Sequence, residues 1–270
     1  MTPIPVLTIA GSDPSGGAGI QADLKTMAAL GVYGMSVITA ITAQNTTGVR
    51  RFTALDPSMV SDQLEMVIDD IPPLAIKTGM LASAPIVNAI CDILAHHPHI
   101  PLIVDPVMVA TSGDQLIDDE AISTIVQRLF PLATLITPNV NEAQRLTGSN
   151  NPHEQAQILL DSGPQAVLLK GGDRSGQESI DLLWIKNYGS PIKLTTPRIN
   201  SQNTHGTGCT LSSATASYIA MGNDIAHAVK LGKDYIFKAI SAAAQWHIGH
   251  GHGPVNHFID SDINPEITFR

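Results

Sequence analysis

Val6-Leu7-Thr8-Ile9-Ala10 runs into the loop Gly11-Ser12-Asp13-Pro14-Ser15-Gly16-Gly17-Ala18-Gly19 and then into the amphipathic stretch Ile20 to Leu30. A short apolar run, a loop of small residues and a helix-length segment make one strand–loop–helix unit. The same alternation continues along the chain. Met35 to Ala43, Ala75 to Thr78, Leu102 to Asp105, Leu135 to Thr137 and Ala166 to Lys170 read as strands. Ser58 to Asp70, Ala84 to His96, Glu120 to Phe130, Glu142 to Leu146 and Pro152 to Asp161 read as helices. Ile180 to Ile185 and Pro191 to Thr195 are expected as an antiparallel pair near one edge, followed by two long helices, Thr207 to Met221 and Ile225 to His247. Apolar strands that alternate with helices predict a mainly parallel sheet covered on both faces, an α/β fold. No low-complexity linker, composition shift or fixed-period repeat divides residues 1–270, so one domain is expected.

Bulk properties narrow the function. A net charge of -9 argues against nucleic acid, whose phosphates call for clustered Lys and Arg. It does not exclude a phosphorylated ligand, because backbone N–H groups and a metal leave no net-charge signature. Two cysteines, Cys91 and Cys209, are too few for a disulfide framework and point to a reducing compartment. Apolar runs are short and interrupted, and the first residues lack a basic stretch ahead of an apolar one, so a cytoplasmic location away from any membrane is expected.

In such folds ligands sit beyond the carboxyl ends of the strands. The polar and Gly-rich segments follow expected strand ends: Gly11 to Gly19, Gln44-Asn45, Lys77 to Met80, Asp105 to Gly113, Pro138 to Glu142 and Lys170 to Asp173. The strongest local signal is Asn203-Thr204-His205-Gly206-Thr207-Gly208-Cys209-Thr210, directly before an Ala- and Ser-rich helix. Small residues at a helix start let several N–H groups and the helix dipole meet one anion. A thiol there is expected to have a lowered pKa, which makes Cys209 a candidate proton acceptor. The same stretch also reads as a glycine-rich turn, an ordinary cap and a buried cysteine. Gly11 to Gly19 lacks the Gly-Lys-Ser/Thr ending of a Walker loop and does not fit the dinucleotide fingerprint. Asp23 either faces a ligand hydroxyl or complements a helix dipole. Asp105 and Glu142, near two strand ends, either hold a magnesium ion against ATP phosphates or cap unrelated loops. Lys170 could approach nucleotide phosphates. The tail from His247 to His257 lacks structural-zinc spacing, and a loop closing back on the domain is the favoured reading over a metal site.

Taken together and in order, these segments resemble the hydroxymethylpyrimidine/phosphomethylpyrimidine kinase family of the ribokinase-like superfamily. The resemblance rests on Thr8 to Asp13, Gly16 to Asp23, Ala43 to Thr46, Lys77 to Leu81, Asp105 to Val109, Thr137 to Asn139 with Glu142, Lys170 to Gly172, Thr204 to Thr210 and Gly249 to Pro254. It implies a three-layer α/β/α fold and ATP-dependent phosphorylation of a small pyrimidine, first at its hydroxymethyl oxygen and then at the monophosphate, with Mg2+. By position, Gly206, Thr207 and Gly208 would form the anion hole, Thr207, Gly208 and Lys170 would meet the nucleotide, and Cys209 would be the base. Asp105 and Glu142 would serve the metal, and Gly11, Asp23, Gln44, Met80 and Val107 the pyrimidine. Gln44 suits an aminopyrimidine edge, because its amide pairs one donor with one acceptor. Pyridoxal-preferring relatives generally lack the Ala-Gln-Asn-Thr stretch. Two residues depart from the family pattern, Thr111 in place of Lys and Asp173 in place of His. A homodimer is the expectation, because dimers are common in the superfamily.

Overall fold

The computed structural model describes residues 3–259 apart from 111, 112, 115 and 173–175. Its strands are β1 (Pro5–Ser12), β2 (Tyr33–Asn45), β3 (Gly48–Ala54), β4 (Ala75–Thr78), β5 (Leu102–Val104), β6 (Leu135–Ile136), β7 (Ala166–Leu169), β8 (Glu178–Ile185) and β9 (Ile192–Pro197). The helices are α1 (Gly19–Ala29), α2 (Pro57–Asp70), α3 (Ala84–Leu94), α4 (Asp119–Thr124), α5 (Val140–Thr147), α6 (Pro152–Asp161), α7 (Thr207–Ala220) and α8 (Ile225–Ala243). The strands form one sheet in the order β3-β2-β1-β4-β5-β6-β7-β8-β9. From β2 to β7 the neighbours are parallel. The β8–β9 pair is antiparallel and lies at one edge, as expected, with β8 also antiparallel to β7.

Side chains on a strand alternate between faces, and here that alternation builds two cores. Leu7, Ile9, Ile76, Val104 and Val167 pack with α2, α3 and α6 through Val60, Leu64, Ile86, Ile90 and Leu159. Val6, Ala75, Ile103, Leu135 and Leu168 pack on the other face with α1, α7 and α8 through Met27, Leu211, Val229 and Ile236. The result is the three-layer α/β/α arrangement. Among the described residues no helix is long and apolar enough to cross a membrane.

Two elements differ from the expectations. β3 was not anticipated. Its residues, Gly48-Val49-Arg50-Arg51-Phe52-Thr53-Ala54, show no apolar alternation, because the strand is an exposed edge of the sheet and pairs antiparallel with β2. The expected helix from Glu120 to Phe130 is α-helical only over α4. It widens to a π-helical turn at Ile125–Leu129 and ends in a 3-10 turn, Phe130–Leu132, around Pro131.

Candidate active site

A cavity of about 700 Å³ opens at the carboxyl ends of the parallel strands, within the range of small-molecule sites. β1 delivers Gly11, the β2 end Gln44, the turn after β4 Met80, and the segment after β5 Asp105 and Val107. The start of α5 brings Glu142, the β7 end Lys170, and the start of α7 Gly206, Thr207, Gly208 and Cys209. All of these expected site residues therefore line one cavity. Thr111 and Asp173 lie outside the described residues.

The turn before α7 depends on the absence of side chains. Gly206 has φ +78° and caps α7, and a Cβ on it would stand 1.8 Å from the Gly17 carbonyl oxygen. The chain therefore passes hard against the β1–α1 loop, and the first turn of α7, whose N–H groups have no intrahelical acceptor, lines the cavity. A side chain at Gly208 would stand 3.2 Å from Lys170 Nζ and 3.3 Å from Asp105 Oδ2. Cation, carboxylate and helix start thus form one cluster.

Asp105 is buried. Its Oδ1 accepts from Lys170 Nζ at 2.7 Å and from Thr137 Oγ1 at 3.0 Å. Burial, the largest influence on Lys170, works to lower its pKa, but the Asp105 and Glu142 carboxylates and the hydrogen bond to Asp105 outweigh it and raise the value. Glu142 sits in a capping box: Asn139 N–H donates to its Oε2 at 2.7 Å, and Glu142 N–H donates to Asn139 Oδ1 at 2.9 Å. Both acids line the cavity, and oxygen donors of this kind suit a hard divalent ion that keeps several waters. At the far end, Lys233 Nζ pairs with Asp181 Oδ2 at 2.7 Å and donates to Ser179 Oγ at 2.9 Å.

Two expectations need correction. Asp23 does not line the cavity. It is fully buried beneath it, where its carboxylate accepts from Lys77 Nζ at 2.8 and 2.9 Å, from Thr8 Oγ1 at 2.6 Å and from Ser213 Oγ at 2.6 Å. α1 turns this residue inward, toward β4 and α7, so its oxygens are committed to the protein. The Cys209 thiol, expected to be acidic, is instead pushed up to about 11. Burial is the largest cause; Lys77 pulls the value down, Asp23 and Asp105 push it up, and a hydrogen bond from Gly19 N–H lowers it. A helix start is therefore outweighed here by desolvation.

Besides Lys233–Asp181, sequence reasoning also missed a buried ion pair and a buried histidine–carboxylate contact. Lys77, buried at 0% exposure, partners Asp23. His205 Nε2 lies 2.7 Å from Asp13 Oδ2, and that carboxylate is held to about 2 although burial, its largest influence, works the other way; the bonds from His205 and Ser15 prevail. Both pairs join residues far apart in the chain, so no local spacing announces them.

A doubly covered, mainly parallel sheet with a glycine-rich helix start beside a lysine–carboxylate cluster at its strand ends is the frame of a ribokinase-like phosphotransferase. A family model described as phosphomethylpyrimidine kinase matches residues 13–256, and the chain belongs to that family. It is 49% identical over 95% of its length to the thiamine biosynthesis bifunctional protein ThiED of Geobacter sulfurreducens, of which it spans 53%. It is 47% identical to the hydroxymethylpyrimidine/phosphomethylpyrimidine kinase of Rhizobium meliloti, covering 93% of this chain and 96% of that one. Among solved structures, a phosphomethylpyrimidine kinase from Clostridium difficile matches with a TM-score of 0.76 at 47% identity, over 88% of this chain and 99% of the other. A pyridoxal kinase from Staphylococcus aureus in complex with pyridoxal matches with a TM-score of 0.86 at 35% identity, over 97% and 96%.

Proposed function

We propose that this chain transfers the γ-phosphoryl group of ATP to the hydroxymethyl oxygen of 4-amino-5-hydroxymethyl-2-methylpyrimidine, and then a second phosphoryl group to the monophosphate, in thiamine synthesis. It works as a single domain in the cytoplasm; a homodimer is proposed on the superfamily resemblance alone. The observation that carries the reading is one cavity with Gln44 on the β2 side and the Gly206–Cys209 helix start beside Lys170 and Asp105. One place reads an aminopyrimidine edge and the other receives a transferring phosphoryl group.

Phosphoryl transfer depends mainly on alignment and charge stabilisation. The backbone N–H groups of Gly206 to Gly208 stabilise the equatorial oxygens, Lys170 holds the nucleotide phosphates, and Cys209 takes the proton of the attacking alcohol. Asp105 and Glu142 would hold a magnesium ion, which when bound offsets charge on the phosphate oxygens. In the second reaction the acceptor is a phosphate oxygen that is already ionised, so the demand for a base falls.

A panel of hydroxymethylpyrimidine, its monophosphate, pyridoxine and pyridoxal, each with Mg-ATP, tests the reading. The pyrimidine and its monophosphate should be turned over with the higher kcat/KM; preference for pyridoxal would replace this reading with that of the Staphylococcus aureus neighbour. In the same panel, Gln44→Leu should raise KM for hydroxymethylpyrimidine by roughly 10- to 100-fold, since stranded polar groups cost about 1–3 kcal/mol each. An unchanged KM would remove Gln44 from the pocket.

Asp105→Asn and Glu142→Gln keep the shape of both side chains, and the Gln can still accept from Asn139 N–H. Each should shift the magnesium titration of the rate at fixed ATP upward, by roughly tenfold. Superimposable titrations would reduce these acids to a partner for Lys170 and a helix cap.

A further inference from the structure

The glycine- and histidine-rich tail does turn back on the domain, and its contacts are specific. The Thr46 hydroxyl, in the β2–β3 turn two residues past Gln44, accepts from His250 N–H and Gly251 N–H, both at 3.2 Å. Two residues past Gly251, the Gly253 carbonyl accepts from His205 N–H at 3.0 Å, and Pro254 bridges to His205 alongside it. Close approach fixes both ends. A Cβ on Gly251 would stand 2.0 Å from the Thr46 carbonyl oxygen, and one on Gly253 would stand 1.9 Å from Asn203 Oδ1.

Asn203 is itself fixed, its Nδ2 donating to the Ala243 carbonyl at 2.6 Å and the Trp246 carbonyl at 2.9 Å. From His205 the connection continues through its imidazole to Asp13, whose carboxylate also accepts from Ser15, Gly17 and Ala18 N–H in the β1–α1 loop. One segment of tail therefore touches the turn next to Gln44 and the residue next to Gly206 through its backbone, and His252 Nδ1 adds a side-chain contact to Thr204 Oγ1 at 3.3 Å.

We propose that Gly249–Pro254 is a brace that sets the separation between the hairpin bearing Gln44 and the helix start bearing Gly206 to Cys209, with Thr46 and His205 as its two anchoring, positioning residues. The proposal deepens the kinase reading and rests on it. Two substrates must meet in line, and a displacement of about 1 Å costs on the order of 100-fold in rate. Hydrogen bonds at both ends of a short segment transmit such a displacement directly.

The test compares Thr46→Val, which keeps the shape and loses the acceptor, with Thr46→Ser, which keeps the acceptor. In Thr46→Val the brace predicts a kcat for hydroxymethylpyrimidine at least about tenfold lower and a higher pyrimidine KM, with KM for ATP unmoved. Thr46→Ser should restore parent values. Backbone amide exchange should quicken in Thr46→Val at residues 250 and 251 and also at residues 203–208, on the far side of the brace. His250→Ala should match the parent, because only its backbone is used.

Quickened exchange confined to residues 250 and 251, with kinetics unchanged, would reduce the tail to a local tie and overturn the proposal. Loss of kcat with both KM values fixed and no rescue by Ser would mean a smaller active fraction and overturn it equally. The exchange comparison needs no substrate. A parent chain that fails to phosphorylate the pyrimidine therefore sinks the kinase reading, while the brace still stands or falls on exchange at residues 203–208.

Discussion

Cys209→Ala is expected to slow phosphorylation of hydroxymethylpyrimidine by about 10²–10⁴-fold, the usual worth of a general base, and to slow phosphorylation of the monophosphate far less. The variant leaves the Gly206 turn and the helix start of α7 in place, so alignment and the backbone donors survive. Only the alcohol needs its proton removed. Because burial pushes the thiol up to about 11, it is protonated at neutral pH. Raising the pH toward that value increases the thiolate fraction, so the parent's first step should quicken by up to about tenfold per pH unit between pH 7 and 9. The second step should stay flat over that range, and Cys209→Ala should flatten the first. Both rates come from one preparation, so their ratio is independent of yield. Equal losses in the two steps would make Cys209 a shaping residue, and no loss would remove it from the mechanism.

Lys77→Met is expected to lower unfolding free energy by about 3–5 kcal/mol, because it leaves the Asp23 carboxylate buried and uncompensated. Neither partner has any exposed side-chain surface, and Lys77 Nζ spans both oxygens of Asp23. That loss is a large part of the stability of an ordinary domain, roughly 5–15 kcal/mol. Urea unfolding should show a lower midpoint with an unchanged slope. Adding Asp23→Leu should recover much of the loss, since two apolar residues replace a buried pair with little penalty. If the double variant is no more stable than Lys77→Met, the cost lies in packing and not in the stranded charge.

Much of this was legible in the sequence, for identifiable reasons. β4 and α6 have the expected bounds because each is punctuated locally, β4 between Pro72-Pro73 and Gly79 and α6 by an Asn cap ahead of Pro152. Cavity-lining residues at strand ends could be found because a parallel sheet sends every such end to the same side. β3 could not, because an edge strand exposed on both faces carries no hydrophobic pattern. Asp23 was misread since an acid near a helix start looks the same whether it meets solvent, a ligand or a buried lysine 54 residues away. The Cys209 thiol was misjudged for a related reason: a helix start is visible in sequence, while the depth of its burial is a property of the finished packing. The tail's glycines stood out in the sequence, but Gly251 touches a turn 205 residues earlier, and even Gly253 meets Asn203 from well outside any local pattern.

That separation bears on how the protein is made. Synthesis runs from the N-terminus, and the β2–β3 turn leaves the ribosome long before the residues that reach back to it. His250 lies 204 positions after Thr46, and His205 lies 192 after Asp13. A nascent chain halted after β9 holds every strand of the sheet, yet it lacks the α7 helix start, the His205 that meets Asp13 in the first loop, and the segment that clasps the hairpin. The proposed catalytic centre is thus completed only late in synthesis, and a prematurely terminated copy would be a sheet without it.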